Sequence, residues 1–466
     1  MLEPSSRTRT QAPVPEIVRR AEVEATLRWL DAREKGALAA ATRRTRSALA
    51  RRFDRLNAPV VYPWSPSMSG SDAAHRLHRL AATLLRVRSP NGVGRLWLKT
   101  KAAVWPTLAV IAAVLVVWRC ARQVRERYGF SGRDQLRDVI DAALRHGIFP
   151  TEYYYRRVFA TAARADKSLY LSEREMIALL SGADRGADTM QVDDLQRLYA
   201  GCRAAGLAVP RNVARFTQGA VEMIGSSVAT VLPEKDLFFR HDGWSVAGSG
   251  QFWRWMPRER AWQYRGEALA AEQLLKRLRR DAGSGTRVLQ EAIVNHPEVA
   301  RYSQGALCSY KVATGVDMEG FSRVLFASFC IPGGDLSGET PASVDLVSGV
   351  DLANGRLLPA VGEFVADGEF ESHPGTGAIL AGASAPHWRE VAAFATRAHA
   401  AFRDVPFVGW EIAVGASGPV LLGASTNWGF FPHVLPAETE FAELCLQHVR
   451  RLRPEEAIPA ALGETV

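Results

Sequence analysis

Apolar positions along the chain change their period, and each change predicts a different kind of structure. From Phe130 onward, Leu136, Ile140, Ala143 and Leu144 recur at three-to-four spacing. This predicts a helix capped by Ser131 and stopped at Gly147. Ser172-Glu173-Arg174-Glu175 reads as a capping box ahead of a second apolar run. A third helix is expected near Asp194 to Ala205, ended by Gly206 and followed by Pro210. Residues 125–215 thus read as a helical module. After residue 220 the pattern shortens to β-rich runs between Gly-rich turns: DLFFR, RVLQEAIV, SYKVATG, RVLFASFCI, FVGWEIAV and PVLLGA. Helices at 266–280 and 389–403 interrupt them. The mixture predicts an α+β unit over 216–440, with 441–466 as a tail.

Upstream of the module, residues 16–56 read as an Arg-rich helix. Residues 57–73 form a linker with Pro59, Pro63, Pro66 and Gly70, and a second basic helix is expected from about Ser71 to Val87. Ala102 to Trp118 holds 17 residues without a charge. That is the lower limit for a membrane-spanning helix, which needs ~20. Trp105 and Trp118 near its ends suit interface anchors, whereas Pro106 interrupts its start. Both flanks are basic (Lys99 and Lys101; Arg119, Arg122 and Arg125), which fits a helix lying in one leaflet better than a full span. A buried helix of a soluble protein is the other reading.

Charge sharpens this division. The chain carries net +9, yet residues 1–101 hold 20 Lys and Arg against 8 Asp and Glu, while the remainder holds 38 against 41. Region 1–124 therefore fits an anionic membrane surface, with a solvated basic helix as the alternative. Nucleic acid is not an expected partner. Met1 to Pro15 lacks an apolar signal core, and five scattered cysteines without Cys-x-x-Cys point to a reducing compartment. The expected location is cytoplasmic, peripheral to the inner face of the membrane. The chain has no G-x-x-x-x-G-K-[ST] loop, G-x-S-x-G elbow or H-E-x-x-H, and Gly375-Thr376-Gly377 reads as a turn.

Chemistry enters through an ordered set of segments. They are GFSGRDQLRDVIDAALRHGIFPTEYY, GCRAAGLAVP, DLFFR-HDGWSVAGSGQFWRW, VLQEAIVNHPEVA, SYKVATG, HPGTGAILAGASAPHW and VGWEIAVGASGPVLLGASTNWG. With them the stretch from about 125 to 435 resembles the sugar-transfer-associated ATP-grasp family, which is similar to bacterial peptide and glutamate ligases. The resemblance implies an ATP-grasp fold of two α+β subdomains. It also implies ATP and Mg2+ as cofactors, and joining of an unknown carboxylate to an unknown amine through an acyl phosphate. A role in cell-surface polysaccharide or peptide biosynthesis would follow from the family's name.

Arg240 ends an apolar strand and is followed by Gly243, Gly248 and Gly250, a combination suited to covering phosphates. A surface hairpin with a charged tip is the bland alternative. The resemblance implies a lysine at Arg240, so the charge is kept and its shape changes. It also makes VLQEAIV the hinge that would bind adenine, through Gln290, Glu291, Ala292 and Ile293. Strand alternation puts Glu291 on an otherwise apolar face, where a carboxylate needs a partner: adenine or Lys311. Lys311 stands where the family carries an arginine facing the phosphates.

Val408–Val414 and Pro419–Ala424, joined by GASG, read as a hairpin. In the family this hairpin holds magnesium, through one carboxylate on its first strand and a Glu and an Asn two residues apart on its second. A spacing of two puts both on one sheet face. Glu411 takes the first place, but alignment on Gly418-Pro419 puts Gly423 and Ser425 in the others. Asn427 would replace Ser425 if the register slipped by two. Leu195 stands where the family tends to carry a lysine. His373-Pro374 and Pro386-x-Trp388 match the family, and read equally well as structural turns. One carboxylate supports a single ion better than a bridged pair. Two classes stay open. One is a ligase using Arg240 and Lys311 on the phosphates and Glu411 with Ser425 or Asn427 on the metal. The other is a degenerate, non-catalytic ATP-grasp protein acting as a nucleotide-binding or membrane-associated scaffold.

Overall fold

The computed structural model describes residues 65–87, 92–161, 164–218, 220–224, 232–241, 250–283, 285–333, 345–362, 368–428 and 434–452. The Arg-rich helix read over 16–56, the first part of the linker, Gly243 and Gly248 lie outside them. Helices α1 (Ala73–Val87), α2 (Gly92–Tyr128), α3 (Gly132–Arg145), α4 (Pro150–Tyr155), α5 (Glu173–Ala183), α6 (Met190–Asp193) and α7 (Leu195–Ala204) come first. The expected caps form. Ser131 accepts the Asp134 N–H at the start of α3, and Gly147 behind that helix holds φ +69°, the left-handed conformation glycine tolerates. Ser172 and Glu175 close a capping box on α5.

The apolar run Ala102–Trp118 is the middle of α2, which carries Pro106 inside it. Trp105, Ala109, Ala113, Val117, Cys120 and Val124 recur every three or four residues, and all are buried on the side where α2 packs against α3 and α4. Trp105 Nε1 donates to the Ala143 carbonyl at 3.2 Å. The opposite side keeps Val104, Ile111, Val114, Leu115 and Trp118 exposed.

Strands β1 (Asn212–Thr217), β2 (Ala220–Met223), β3 (Leu237–His241), β4 (Gln251–Met256), β5 (Ala261–Tyr264), β6 (Glu267–Leu269) and β7 (Thr286–Glu291) form an antiparallel sheet in the order β2-β1-β7-β3-β4-β5-β6. Helix α8 (Ala271–Ala282) covers it, placing Leu274 and Leu278 against Phe216, Phe239, Trp253 and Leu289. The helix expected from 266 starts later because Arg265 and Gly266 take φ +49° and +77°. That geometry makes the two-residue turn of a hairpin, so 267–269 pair with β5 as a strand.

The second sheet contains β8 (Ser309–Val316), β9 (Ser322–Ile331), β10 (Leu346–Asp351), β11 (Arg356–Leu357), β12 (Ala360–Gly362), β13 (Glu369–Phe370), β14 (Phe407–Gly415) and β15 (Gly418–Ser425). Its order is β13-β12-β10-β9-β8-β14-β15, with β11 paired to β10. Helices α9 (Pro297–Ala300), α10 (Trp388–Ala400) and α11 (Glu440–Leu452) complete the fold. Alternation divides the sheet. Tyr310, Val312, Val408, Trp410 and Ile412 pack with α7 and α10, while Ala313, Phe326 and Phe407 pack with α1, α5 and α11. Two antiparallel sheets with segregated helices make an α+β fold.

Boundaries expected at 124 and 215 fall inside α2 and β1. Helix α1, expected in a separate basic region, and α11, expected as a tail, both join the core. Their stripes Leu77-Leu80-Leu84 and Phe441-Cys445-Val449 share one cluster with Phe326 and Phe407. The five cysteines are all buried.

Candidate functional site

The hairpin β14–β15 fixes the site's register. Glu411 lies opposite Lys311 of β8 on one side and Gly423 of β15 on the other, and Lys311 lies opposite Ser328 of β9. Cross-strand partners share a face, so Ser328, Lys311, Glu411 and Gly423 form a row across four strands. The face is the one that also carries Ala313 and Phe407. Ser309 Oγ donates to Glu411 Oε1 at 3.4 Å. Among the described residues the buried Ser328 Oγ has no hydrogen-bond partner. A buried hydroxyl of that kind is a polar group still to be satisfied.

Burial pulls the Lys311 ammonium down, but the neighbouring Cys330 and Glu411 more than offset this, and the net direction is upward. Tyr155 and Arg156, at the end of α4, also act on Lys311. Burial pushes the Cys330 thiol to about 11 against the opposing pull of Lys311, so it is not a poised nucleophile.

Arg240, at the end of β3, reaches the other sheet: its Nη1 donates to the Leu422 carbonyl of β15 at 2.8 Å. Tyr199 of α7 donates to the same oxygen at 2.9 Å. Gln290 donates to the Tyr199 hydroxyl at 3.3 Å and to Asn212 Oδ1 at 2.7 Å, and Asn212 donates to Gln196 at 3.3 Å. A buried polar chain therefore ties β3, β7, β1 and α7 to the back of the β15 backbone. Burial pushes the Tyr199 phenol up to about 12, with Arg240 pulling the other way and Glu411 adding to the rise.

Glu291 does need a partner, and it has two. Lys235 Nζ lies 2.8 Å from one oxygen and Arg211 Nη1 3.2 Å from the other. Lys311 is not among them, because it faces Glu411 on the other sheet. Behind the hinge, the Ala292 N–H donates to the Asp236 carbonyl, and Ile293 lies against Gly415 of the hairpin. Gly250 sits so close to Phe238 that a Cβ would fall 2.1 Å from the ring, so a larger residue there would have to displace the Phe238 side chain.

On β15 the sequence alignment of the metal positions is kept: Gly423 is level with Glu411, and Ser425 is level with Gly409. The slip that would put Asn427 in place of Ser425 does not occur. Asn427 lies beyond the strand, and its backbone N–H donates to Ser425 Oγ at 3.1 Å. Thr426 fixes that end by donating its N–H and hydroxyl to Asp193 at 2.9 and 2.8 Å. Leu195 is buried in the core beside Leu198. His373 Nδ1 accepts the N–H groups of Gly375 and Thr376, and the Pro386 carbonyl accepts the Tyr310 hydroxyl, so both motifs organise turns.

The donor set decides what the row can hold. One carboxylate with a lysine directly across from it, two serines and a glycine do not fit a pair of magnesium ions. Glu411 with hydroxyl neighbours fits at most one. Arg240 and Lys311 carry charge of the sign that binds a polyphosphate. Tyr199, Ser328 and the Leu422 carbonyl were not foreseen. Tyr199 is a lone aromatic on a helix, Ser328 a small residue inside an apolar strand, and the third is backbone.

Residues 279–450 match the model of a family described as sugar-transfer associated ATP-grasp. No curated protein matches the chain. Among solved structures the chain is similar to the L-amino acid ligase from Bacillus licheniformis (9% identity, TM-score 0.32, covering 60% of this chain and 54% of that one). It is also similar to the VanG D-Ala:D-Ser ligase from Enterococcus faecalis (11%, 0.32, 55% and 60%). A third is the D-alanine--D-Alanine ligase from Bacillus anthracis (10%, 0.31, 57% and 69%). The chain spans little more than half the length of the first two.

Proposed function

We propose, from a chain whose residues 279–450 belong to the sugar-transfer associated ATP-grasp family, that this protein binds ATP with little dependence on magnesium. The observation that carries the reading is the row Ser328–Lys311–Glu411–Gly423, where a cation stands and the second metal carboxylate does not. Lys311 and Arg240 would hold the phosphates, and Gln290, Glu291, Ala292, Ile293 and Gly250 would line the nucleotide. Glu411, with Ser425, would hold a single Mg2+, whose chemistry when bound is to screen the phosphate charge. Ligation of a carboxylate to an amine, in polysaccharide or peptide assembly, is the activity this site would support if that ion suffices.

A thermal-shift titration tests it. ATP at a hundred times its Kd is expected to add about 2.7 kcal/mol of stability, nearly the same with and without magnesium. Gly423→Glu is expected to make the shift depend on magnesium, because it places a second carboxylate beside Glu411. No shift under either condition sinks nucleotide binding. A wild-type shift that requires magnesium sinks the reduced-metal reading.

The exposed side of α2 supports a second element, peripheral membrane binding. Leu115 and Trp118 are 57% and 82% exposed, and exposed Arg122 and Arg125 follow on the same helix. The segment Ala103–Tyr128 is long and apolar enough to cross a membrane, but its other side is packed on α3 and α4. A helix held along its length by protein fits an anionic bilayer surface, where apolar side chains enter the interface and arginines meet headgroups. The full chain is expected to co-sediment with phosphatidylglycerol vesicles and not with phosphatidylcholine. Leu115→Glu with Trp118→Glu should abolish binding; retention by that variant would refute the role of α2.

A further inference from the structure

A cluster outside the polar row holds metal-ligating chemistry. His296 precedes α9, and its Nδ1 accepts the Glu298 backbone N–H at 3.3 Å. Its own N–H donates to the Val414 carbonyl at 2.8 Å, which anchors it to the far end of β14. His387 precedes α10 in the left-handed region, at φ +56°. Non-glycine residues held there mark positions the surroundings over-determine. His387 Nδ1 lies 3.1 Å from Glu390 Oε1, one turn along α10. That contact places a proton on Nδ1, and a neutral His387 then offers the lone pair of Nε2.

His387 Nε2 faces His296 Nδ1 at 3.1 Å and Glu298 Oε2 at 3.5 Å. The carboxylate is an acceptor, and the His296 Nδ1 lone pair holds the long bond from the Glu298 N–H, which an ion would displace. The point between the three side chains therefore calls for positive charge, supplied by a second proton on His387 or by a metal ion in its place. One ligand atom from each of His296, Glu298 and His387 can be chosen so that all lie within 4.8 Å of one another. Zinc bonds of ~2.0–2.1 Å set tetrahedral ligand atoms about 3.3 Å apart. The separations of 3.1 and 3.5 Å bracket that value. Glu390 behind His387 supplies the carboxylate that orients a metal-bound imidazole.

The geometry points to a zinc site made by His296, His387 and Glu298, with Glu390 positioning His387 and a fourth place open to water. Two imidazoles and one carboxylate select zinc or a similar transition metal over magnesium. The ion would tie α9, α10 and the end of the β14–β15 hairpin together. It lies about 10 Å along β14 from Glu411 but beside the proposed hinge, since Ile293 packs on Gly415, and a zinc titration without nucleotide keeps the two readings apart.

The full chain, stripped with chelator and titrated with zinc alone by calorimetry, is expected to take up one ion per chain. Cobalt(II) in its place should give the visible bands of four-coordinate geometry. His387→Gln should remove the site, and Glu390→Gln should weaken it 10- to 100-fold. Glu298→Gln changes an exposed side chain and gives a folded variant, expected to bind at least tenfold more weakly. Absence of stoichiometric uptake, or uptake unchanged in Glu298→Gln or in a His296→Gln/His387→Gln double variant, overturns the proposal.

Discussion

Lys311→Met is expected to eliminate the stabilisation by ATP and to lower the stability of the free protein at the same time. The lysine's two neighbours across the sheet are Ser328 and Glu411. Without the ammonium, the hydrogen bond left to the Glu411 carboxylate among the described residues is the long one from Ser309 at 3.4 Å. Stranding a fully buried charge costs ~3–5 kcal/mol, and here the cost should be nearer 2 because both side chains are partly exposed. The two effects separate in a double variant. Lys311→Met with Glu411→Gln removes the stranded charge, so chemical denaturation should show most of the lost stability regained. The ATP shift should not return, because the proposed phosphate partner is still missing. A Lys311→Met protein that keeps the wild-type ATP shift would remove Lys311 from the site.

That experiment turns on a contact the sequence supplied only in part. Lys311 and Glu411 were each legible, since each interrupts an apolar strand. Their pairing follows from the order β9-β8-β14-β15, with bulges between Ala313 and Thr314 and between Glu411 and Ile412. Spacing within one strand carries no information about such neighbours. Glu291 makes the same point from the other side. A carboxylate on an apolar face demands a partner, and that demand was readable. Lys235 and Arg211 precede β3 and β1, and they become the partners only because β7 lies between those two strands. Strands β8, β9, β14 and β15 announced themselves as long apolar runs because both faces are buried. Short strands such as β5 and β6 did not, since one face stays partly exposed and the run is too brief for a period to register. Helix α2 shows a further limit. Its apolar stretch was visible, but which side would be covered depended on α3 and α4 arriving to cover it.

Trp410→Ala is expected to cost the fold about 4 kcal/mol, the range for removing a large aromatic from a core. Trp410 is fully buried in the cluster between the second sheet and α10. It also begins a directed chain of hydrogen bonds. Its Nε1 donates to Thr314 Oγ1 at 2.7 Å, and that hydroxyl lies 2.6 Å from His399 Nδ1. His399 Nε2 lies 2.8 Å from the Val405 carbonyl, which can only accept, so the proton is on Nε2 and Nδ1 receives the Thr314 hydroxyl. Burial lowers His399 to about 4, and the ring is neutral in the folded chain. An unfolded histidine titrates near 6.5, so between about 6.5 and 4 the unfolded chain binds the extra proton and stability falls as pH falls. Opening a cavity beside His399 lets water reach the ring and should shrink that acid-dependent loss, which urea melts at a series of pH values would read. Trp410→Phe keeps most of the volume and loses one hydrogen bond, so its cost should be nearer 1–2 kcal/mol. Trp410 and Glu411 are neighbours on β14 and point to opposite faces. The folded fraction of Trp410→Ala should therefore keep its response to ATP, separating the layer that holds β14 in place from the row proposed to meet the nucleotide. Equal losses for the alanine and phenylalanine variants would mean that the hydrogen-bond chain, and not the ring volume, carries the stability at this position.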